Sequence, residues 1–128
     1  MIEKITIEVL SRIRDVEAMY HRLVLLVGPP GSGKTRVLHE IERQAAAPRI
    51  NVGLELSERL LDLSKEERLL NVASYFEDIV SEHCREMGSQ MVLLDNIEIL
   101  FDSSLFVSVL PLLQKVSRNT TLVVAWPG

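Results

Sequence analysis

A glycine-rich loop constrains the fold of this chain more than any other feature. The loop reads Gly28-Pro29-Pro30-Gly31-Ser32-Gly33-Lys34-Thr35, follows a wholly apolar run at 23–27 and precedes a helical pattern over 35–46. It matches G-x-x-x-x-G-K-[ST], which joins a buried strand to a helix. Strands that are apolar throughout are typical of parallel sheets covered on both faces. The loop therefore predicts a P-loop fold.

The chemistry of phosphate binding explains the fixed positions of this loop. Glycines at 28, 31 and 33 let backbone N–H groups converge on phosphate oxygens and tolerate positive φ. Lys34 can reach the β- and γ-phosphates as a mobile charge, and the Thr35 hydroxyl suits Mg²⁺, which prefers oxygen ligands. We therefore predict ATP and Mg²⁺ as cofactors. The predicted nucleotide-binding residues are Gly28, Pro29, Pro30, Gly31, Ser32, Gly33, Lys34, Thr35 and Arg36.

A second acidic site is predicted where the apolar run 91–94 ends at Asp95. A buried strand delivers this carboxylate to the edge of the sheet where ligands bind, so Thr35 and Asp95 are the predicted metal residues. The alternative is an aspartate that caps the next turn.

Asn96 follows Asp95, at a position where many P-loop ATPases place a glutamate. Asn96 cannot accept a proton but can orient water. On an extended strand end, Glu98 would point roughly as Asn96 does, so it could substitute if the turn brings it in. Lys34, Asn96 and Glu98 are the predicted catalytic residues, with a solvated acid as the alternative for Glu98.

The rest of the chain predicts an α/β fold with three layers, in which a mostly parallel sheet is flanked by helices and there is no lid domain. We expect one P-loop domain over 1–128, with an N-terminal amphipathic helix at 1–20 and a nucleotide-binding core at 23–128. The predicted strands are 23–27, 50–54, 91–94 and 120–126. The predicted helices after the loop are 35–46, a short one from Ser57 to 61, one from the Ser64 capping box to Gly88, and 105–116 with a kink at Pro111. The predicted apolar face of the helix that ends at Gly88 comprises Leu69, Leu70, Ala73, Phe76, Ile79 and Val80.

Composition excludes several classes of function. The formal charge is −4 and no cluster of Lys and Arg is present, so direct contact with DNA is not indicated. Cys84 is the single cysteine, which rules out an internal disulfide and favours a cytoplasmic location. No signal peptide or membrane-spanning run is recognisable.

Several other residues are not assigned to the site. His21, His39 and His83 lack metal-ligand spacing, and Trp126 and Cys84 are expected to pack. Arg36, Arg59 and Arg118 are candidate phosphate or partner contacts, with a solvated role as the alternative for each.

Four segments resemble the BrxF family, the small P-loop proteins of BREX phage-defence systems. They are 20–35, 54–61, 93–101, and 117–119 with 123–126, and the most specific is Asp95-Asn96-Ile97-Glu98-Ile99-Leu100-Phe101. The resemblance implies a cytoplasmic bacterial protein acting with other BREX components against phage. A homo-oligomer is a further candidate assembly of this chain. It also implies that members continue past the position of Gly128, with a fifth strand beside the first.

The loop also resembles that of AAA-type ATPases. These usually carry a polar sensor at the end of the fourth strand, where this chain has Pro127. Neither an arginine finger nor a helical lid is recognisable. We therefore expect a regulatory or weakly hydrolytic ATPase. The alternatives are an interaction module clamped by nucleotide without hydrolysis, and a small-molecule or nucleotide kinase.

Overall fold

The computed structural model describes residues 2–128, which form one parallel sheet with helices on both faces. The strands are β1 (Leu23–Gly28), β2 (Arg49–Asn51), β3 (Met91–Asp95) and β4 (Thr121–Pro127), in the order β1-β4-β3-β2. The helices are α1 (Ile2–Val16), α2 (Lys34–Ala45), α3 (Val52–Leu60), α4 (Lys65–Met87) and α5 (Val109–Val116), and two short 3₁₀ helices cover Ile97–Phe101 and Ser103–Leu105. The predicted three-layer α/β fold is confirmed.

The alternation of side chains along the strands produces two cores. Leu93 and Val123 point to the face covered by α1 and α2, where they pack with Val37 and Leu38. The neighbouring strand residues point to the opposite face and join α3, α4 and α5. Because both faces are covered, β3 and β4 are apolar at nearly every position, and the runs read from the sequence follow from this burial.

The first helix is shorter than the predicted 1–20. It ends at Val16, and Tyr20 lies in the turn that follows. Val9 and Ile13 are buried on its inner face, as the three- and four-residue spacing predicts. Met1, included in that prediction, lies outside the described residues.

The second strand, predicted over 50–54, is present but shorter, at Arg49–Asn51. The strand ends at Asn51, because the Asn51 side chain accepts a hydrogen bond from the backbone N–H of Leu54 at 3.0 Å and so caps α3. This N-cap starts the helix at Val52, six residues before the predicted start after Ser57. Ser57 lies inside the helix instead, where its hydroxyl donates to the carbonyl of Gly53.

The long helix α4 has the predicted ends, and its buried face differs from the prediction only near the start of the helix. Ser64 and Glu67 form the reciprocal capping box, and Gly88 ends the helix at φ +61°. The buried side chains are Val72, Phe76, Ile79 and Val80. Leu70, predicted to be in the apolar face, is 79% exposed.

The helix predicted over 105–116 begins at Val109, since Leu105 belongs to a 3₁₀ helix. Pro111 therefore falls in the first turn of α5, where a backbone N–H has no partner within the helix. The reason for expecting a kink at Pro111 is thereby removed. None of the helices among residues 2–128 is long and apolar enough to cross a membrane.

Candidate functional site

The loop between β1 and α2 is an open cradle of backbone groups at the carboxyl edge of the sheet. Gly31 and Gly33 have φ of +81° and +97°, which side chains rarely adopt. A Cβ on Gly28 would lie 2.6 Å from the hydroxyl oxygen of Ser32. The predicted need for glycine at these three positions is therefore visible in the geometry.

The N-terminus of α2 faces this cradle. Gly33 is the N-cap residue, and no side chain caps the helix. The N–H groups of the first turn have no acceptor within a helix, and they add to the positive end of the helix dipole. Together with the loop, these groups make an anion site of the kind that phosphate occupies.

Lys34 reaches back over the loop. Its ammonium group donates a hydrogen bond to the carbonyl oxygen of Gly28. The side chain thus lies along the cradle, and its charge has a backbone acceptor there.

Thr35 and Asp95 meet where α2 and β3 approach each other. The Thr35 hydroxyl donates to Asp95 Oδ2 at 2.9 Å, and the backbone N–H of Asn96 donates to Asp95 Oδ1 at 3.0 Å. Asp95 is only 5% exposed. A hydroxyl and a carboxylate side by side are oxygen donors that fit Mg²⁺, which takes few protein ligands and completes its shell with phosphate and water. Residues 2–128 contain no cluster of three His, Cys, Asp or Glu side chains that could hold a metal alone.

Asn96 and Glu98 adopt a different backbone from the extended one that was expected. Asn96 is in the left-handed region at φ +55°, and the 3₁₀ helix Ile97–Phe101 begins directly after it. The argument that an extended strand end points both side chains the same way was therefore wrong. Both residues are exposed and still line one cavity.

This cavity gathers most of the predicted site. Its volume is about 500 Å³, and its lining comprises Pro29, Pro30, Gly31, Ser32, Gly33, Lys34, Thr35, Arg36, Asp95, Asn96, Glu98 and Pro127. Gly28 contributes through the carbonyl that holds Lys34. We call this space the loop cavity.

A second cavity adjoins the loop cavity at Thr35 and Arg36. It measures about 490 Å³ and lies between the starts of α1 and α2, lined also by Ile2, Glu3, His39 and Glu40. The hydrogen bond from Arg43, with a further one from Gln44, lowers the pKa of Glu40 to about 2. We call this space the α1–α2 cavity.

Arg49 is a residue of the site that the sequence reasoning missed. It begins β2, and its Nη1 lies 4.0 Å from Asp95 Oδ2. Arg49 pairs with Leu93, two residues before Asp95, so both charged side chains leave the sheet on the α2 face. Only the strand register gives this proximity, and no local motif around Arg49 indicates it.

Among the candidate arginines and the three histidines, Arg36 lines the loop cavity and the others lie outside it. Arg59 pairs with Glu82, and the guanidinium of Arg118 stacks over Tyr20 at 5.0 Å. His83 contacts Glu55 between α3 and α4, and the ring of His21 contacts the carbonyl of Gln114.

The side chains predicted to pack are in contact with the protein interior. The Trp126 ring meets Phe101 edge to face at 5.2 Å, in keeping with a packing role. Burial raises the pKa of the Cys84 thiol, which disfavours the reactive thiolate.

Comparison with known proteins assigns the chain to a family. The family model described as "ATPase family associated with various cellular activities (AAA)" matches residues 24–125, which is most of the chain. The chain belongs to the AAA family. The match runs from β1 through the last buried residues of β4, so the phosphate loop and Asp95 of this AAA chain both lie within it. Searches of curated proteins and of solved structures gave no match.

Proposed function

We propose that this AAA chain binds ATP with Mg²⁺ in the loop cavity and hydrolyses it slowly as a regulatory component of a bacterial BREX anti-phage complex. The contact of Thr35 with Asp95 carries the binding proposal. It joins the end of the phosphate loop to the acid at the end of β3 at 2.9 Å. A chance glycine-rich turn would not be accompanied by a buried carboxylate on the adjacent hydroxyl.

The loop supplies the interactions with the triphosphate. First-turn N–H groups of α2 and the loop backbone would donate to phosphate oxygens. Lys34 would exchange the Gly28 carbonyl for the phosphates, because an anionic oxygen is a stronger partner for an ammonium group than a carbonyl is. The loop thereby orients the phosphate chain along its own axis.

Thr35 and Asp95 would hold Mg²⁺, which supplies charge neutralisation on the phosphate oxygens when it is bound. The Thr35 hydroxyl would offer a lone pair, and Asp95 would act directly or through a water molecule. The Asn96 N–H keeps Asp95 Oδ1 in place, so the carboxylate can serve without reorientation.

Weak hydrolysis is proposed because no strong base stands at the expected position. Asn96 lines the loop cavity beside Asp95, and its amide can orient water but cannot take its proton. Glu98 lines the same cavity and is the alternative group to receive that proton. The Asn96 amide also favours a second candidate, an interaction module held in one conformation by bound nucleotide.

The nucleoside would extend into the α1–α2 cavity. Thr35 and Arg36 line both cavities, so the two spaces adjoin where the phosphate chain would leave the loop. Ile2 offers an apolar contact there, while Arg36 and His39 offer planar groups on which a base can stack.

The BREX role rests on the resemblance of the segments 54–61, 93–101 and 117–126 to the BrxF family. A defence complex is also a setting in which another protein could provide the missing base or an arginine. Copurification with and without ATP tests this role directly. Recovery of other BREX components in an ATP-dependent manner is expected, and an ATP-independent monomer would contradict it.

The binding proposal is tested with Lys34→Ala. The variant should keep the thermal stability of the wild type, because the lysine lies on the loop surface, and lose MgATP affinity by tenfold or more, as expected for about 1.5–3 kcal/mol of charge-assisted hydrogen bonding. Isothermal titration calorimetry gives the affinity. Lys115→Ala is the control, since Lys115 is an exposed lysine paired with Glu77 away from the loop. A folded Lys34→Ala protein with undiminished affinity would refute the assignment of the loop.

A further inference from the structure

A buried carboxylate needs a counter-charge, and Asp95 has one besides its hydrogen bonds. Taking an ionised carboxylate out of water costs several kcal/mol unless it is paired. Thr35 and the Asn96 N–H each satisfy one oxygen of Asp95 but bring no positive charge. Among residues 2–128, the basic side chain within ion-pair distance of Asp95 is Arg49.

Arg49 stands between two carboxylates on different elements. Its Nε lies 3.4 Å from Glu42 Oε1 on α2, while its Nη1 lies 4.0 Å from Asp95 Oδ2 on β3. The Arg49 side chain is 31% exposed, and the Nδ1 atom of His39 also lies 3.4 Å from Glu42 Oε1. Arg49 thus contacts both carboxylates at once, with Glu42 the nearer, and a small rotation of its long side chain would strengthen one contact at the expense of the other.

We propose that Arg49 is a positioning residue that serves as the counter-charge of Asp95 without metal and shifts towards Glu42 when Mg²⁺ arrives with nucleotide. The inference rests on the proposed function, because it concerns the same metal position. Asp95 Oδ2 is the oxygen that both Thr35 and Arg49 approach. It is also the oxygen nearest to where Thr35 would hold the cation. Two positive charges on one oxygen repel each other, so Arg49 lowers the affinity of the site for Mg²⁺.

This arrangement would set how strongly nucleotide binding depends on the metal. With Arg49 present, the charge of Asp95 is compensated in the absence of metal, and the Arg49–Asp95 ion pair is lost when Mg²⁺ binds. Without Arg49, the carboxylate is left uncompensated until the cation arrives. The preference for MgATP over metal-free ATP should then increase.

The test compares Arg49→Gln with Arg59→Gln. Both variants remove one positive charge from an ion pair, but Arg59 is 33% exposed, pairs with Glu82 and lines neither cavity. The measured quantity is the ratio of the dissociation constants for ATP in EDTA and for ATP with Mg²⁺. We expect this ratio to rise about fivefold in Arg49→Gln, the size of a partly exposed ion pair, and to stay at the wild-type value in Arg59→Gln. The melting temperature in EDTA should fall more in Arg49→Gln than in Arg59→Gln.

Glu42→Gln gives an expectation of opposite sign. Loss of the alternative partner should keep Arg49 on Asp95, so the ratio of the two dissociation constants should fall below that of the wild type. This variant also tests the proposal if Arg49→Gln does not fold. Equal ratios in wild type, Arg49→Gln and Glu42→Gln would overturn the role of Arg49 while leaving nucleotide binding intact. A wild-type protein that binds neither form of ATP would instead refute the proposed function itself.

Discussion

At the scale of single residues, a variant of Asp95 distinguishes a role in holding the metal from a role in ending β3. Asp95→Asn keeps the size of the side chain and an acceptor for Thr35 but removes the charge. We expect affinity for MgATP to fall about 10- to 100-fold towards that for ATP in EDTA, the range seen when groups supporting a metal are altered. Calorimetry with and without EDTA measures both affinities.

The control for this prediction is Asp62→Asn, at an exposed aspartate between α3 and α4. It removes the same charge and should leave both affinities unchanged. If Asp95→Asn keeps the wild-type preference for MgATP, the residue has a structural role at the end of the strand.

At the scale of elements, the start of α4 rests on two reciprocal hydrogen bonds. The Ser64 hydroxyl accepts from the Glu67 N–H at 3.1 Å, and the Glu67 carboxylate accepts from the Ser64 N–H at 3.1 Å. Ser64→Ala should lower the free energy of unfolding by about 1 kcal/mol, measured by urea denaturation. Ser74→Ala is the control in the same helix, since its hydroxyl bonds only to the carbonyl of Asn71. A loss no larger than in Ser74→Ala would contradict the prediction.

The capping box also has a pH dependence of known sign. The backbone and side-chain hydrogen bonds with Ser64 lower the pKa of Glu67 below its ordinary value of 4.5. A lowered pKa means that the contribution is present above the unfolded pKa and is lost as pH falls through the folded one. The difference in unfolding free energy between wild type and Glu67→Gln, which removes the charge, should therefore shrink in acid.

Elements with strong local signals were predictable from sequence. Ser64 with Glu67, and Gly88 after the last turn, fix both ends of α4 because the deciding interactions are within a few residues. The end of β2 was missed because Asn51 acts both as the last strand residue and as a cap. The start of the buried face of α4 was misplaced because the exposure of Leu70 is decided by α3 and the 3₁₀ helices, which the local pattern does not contain.

The site residues likewise divide into those with a local sequence signal and those without one. The loop and the acid at 95 are local motifs, so their positions at the ends of β1 and β3 could be read from the sequence, while their roles in binding nucleotide and metal stay predictions. Arg49 reaches Asp95 through the pairing of β2 with β3, more than forty positions apart, and a single sequence does not state that register. The same is true of the α1–α2 cavity, which depends on how two helices pack.

At the scale of the whole molecule, the isolated chain is expected to be a slow ATPase. Asn96 stands where a proton-accepting carboxylate is common, and such assistance is worth about 10²- to 10⁴-fold. Steady-state phosphate release should be low for wild type and higher for Asn96→Glu. The left-handed backbone at Asn96 suits glutamate less well, so stability should be measured alongside.

The control is Asn119→Glu, which adds the same charge in the turn before β4. Fast phosphate release by the wild type that is unchanged in Asn96→Glu would contradict the prediction and indicate Glu98 as the base. Slow release that another protein stimulates would support activity within an assembly.

The position of β4 has a consequence for synthesis on the ribosome. β1, which leads into the phosphate loop, pairs with β4, the fourth strand among residues 2–128, from Leu23 with Leu122 onward. All residues up to β4 must therefore be made before β1 gains this neighbour, and such distant pairings form slowly. Under the proposed function, ATP cannot stabilise the growing chain before that point, because the phosphate loop is not yet anchored. A nascent chain halted before β4 would carry an exposed apolar strand and depend on chaperones for protection from aggregation.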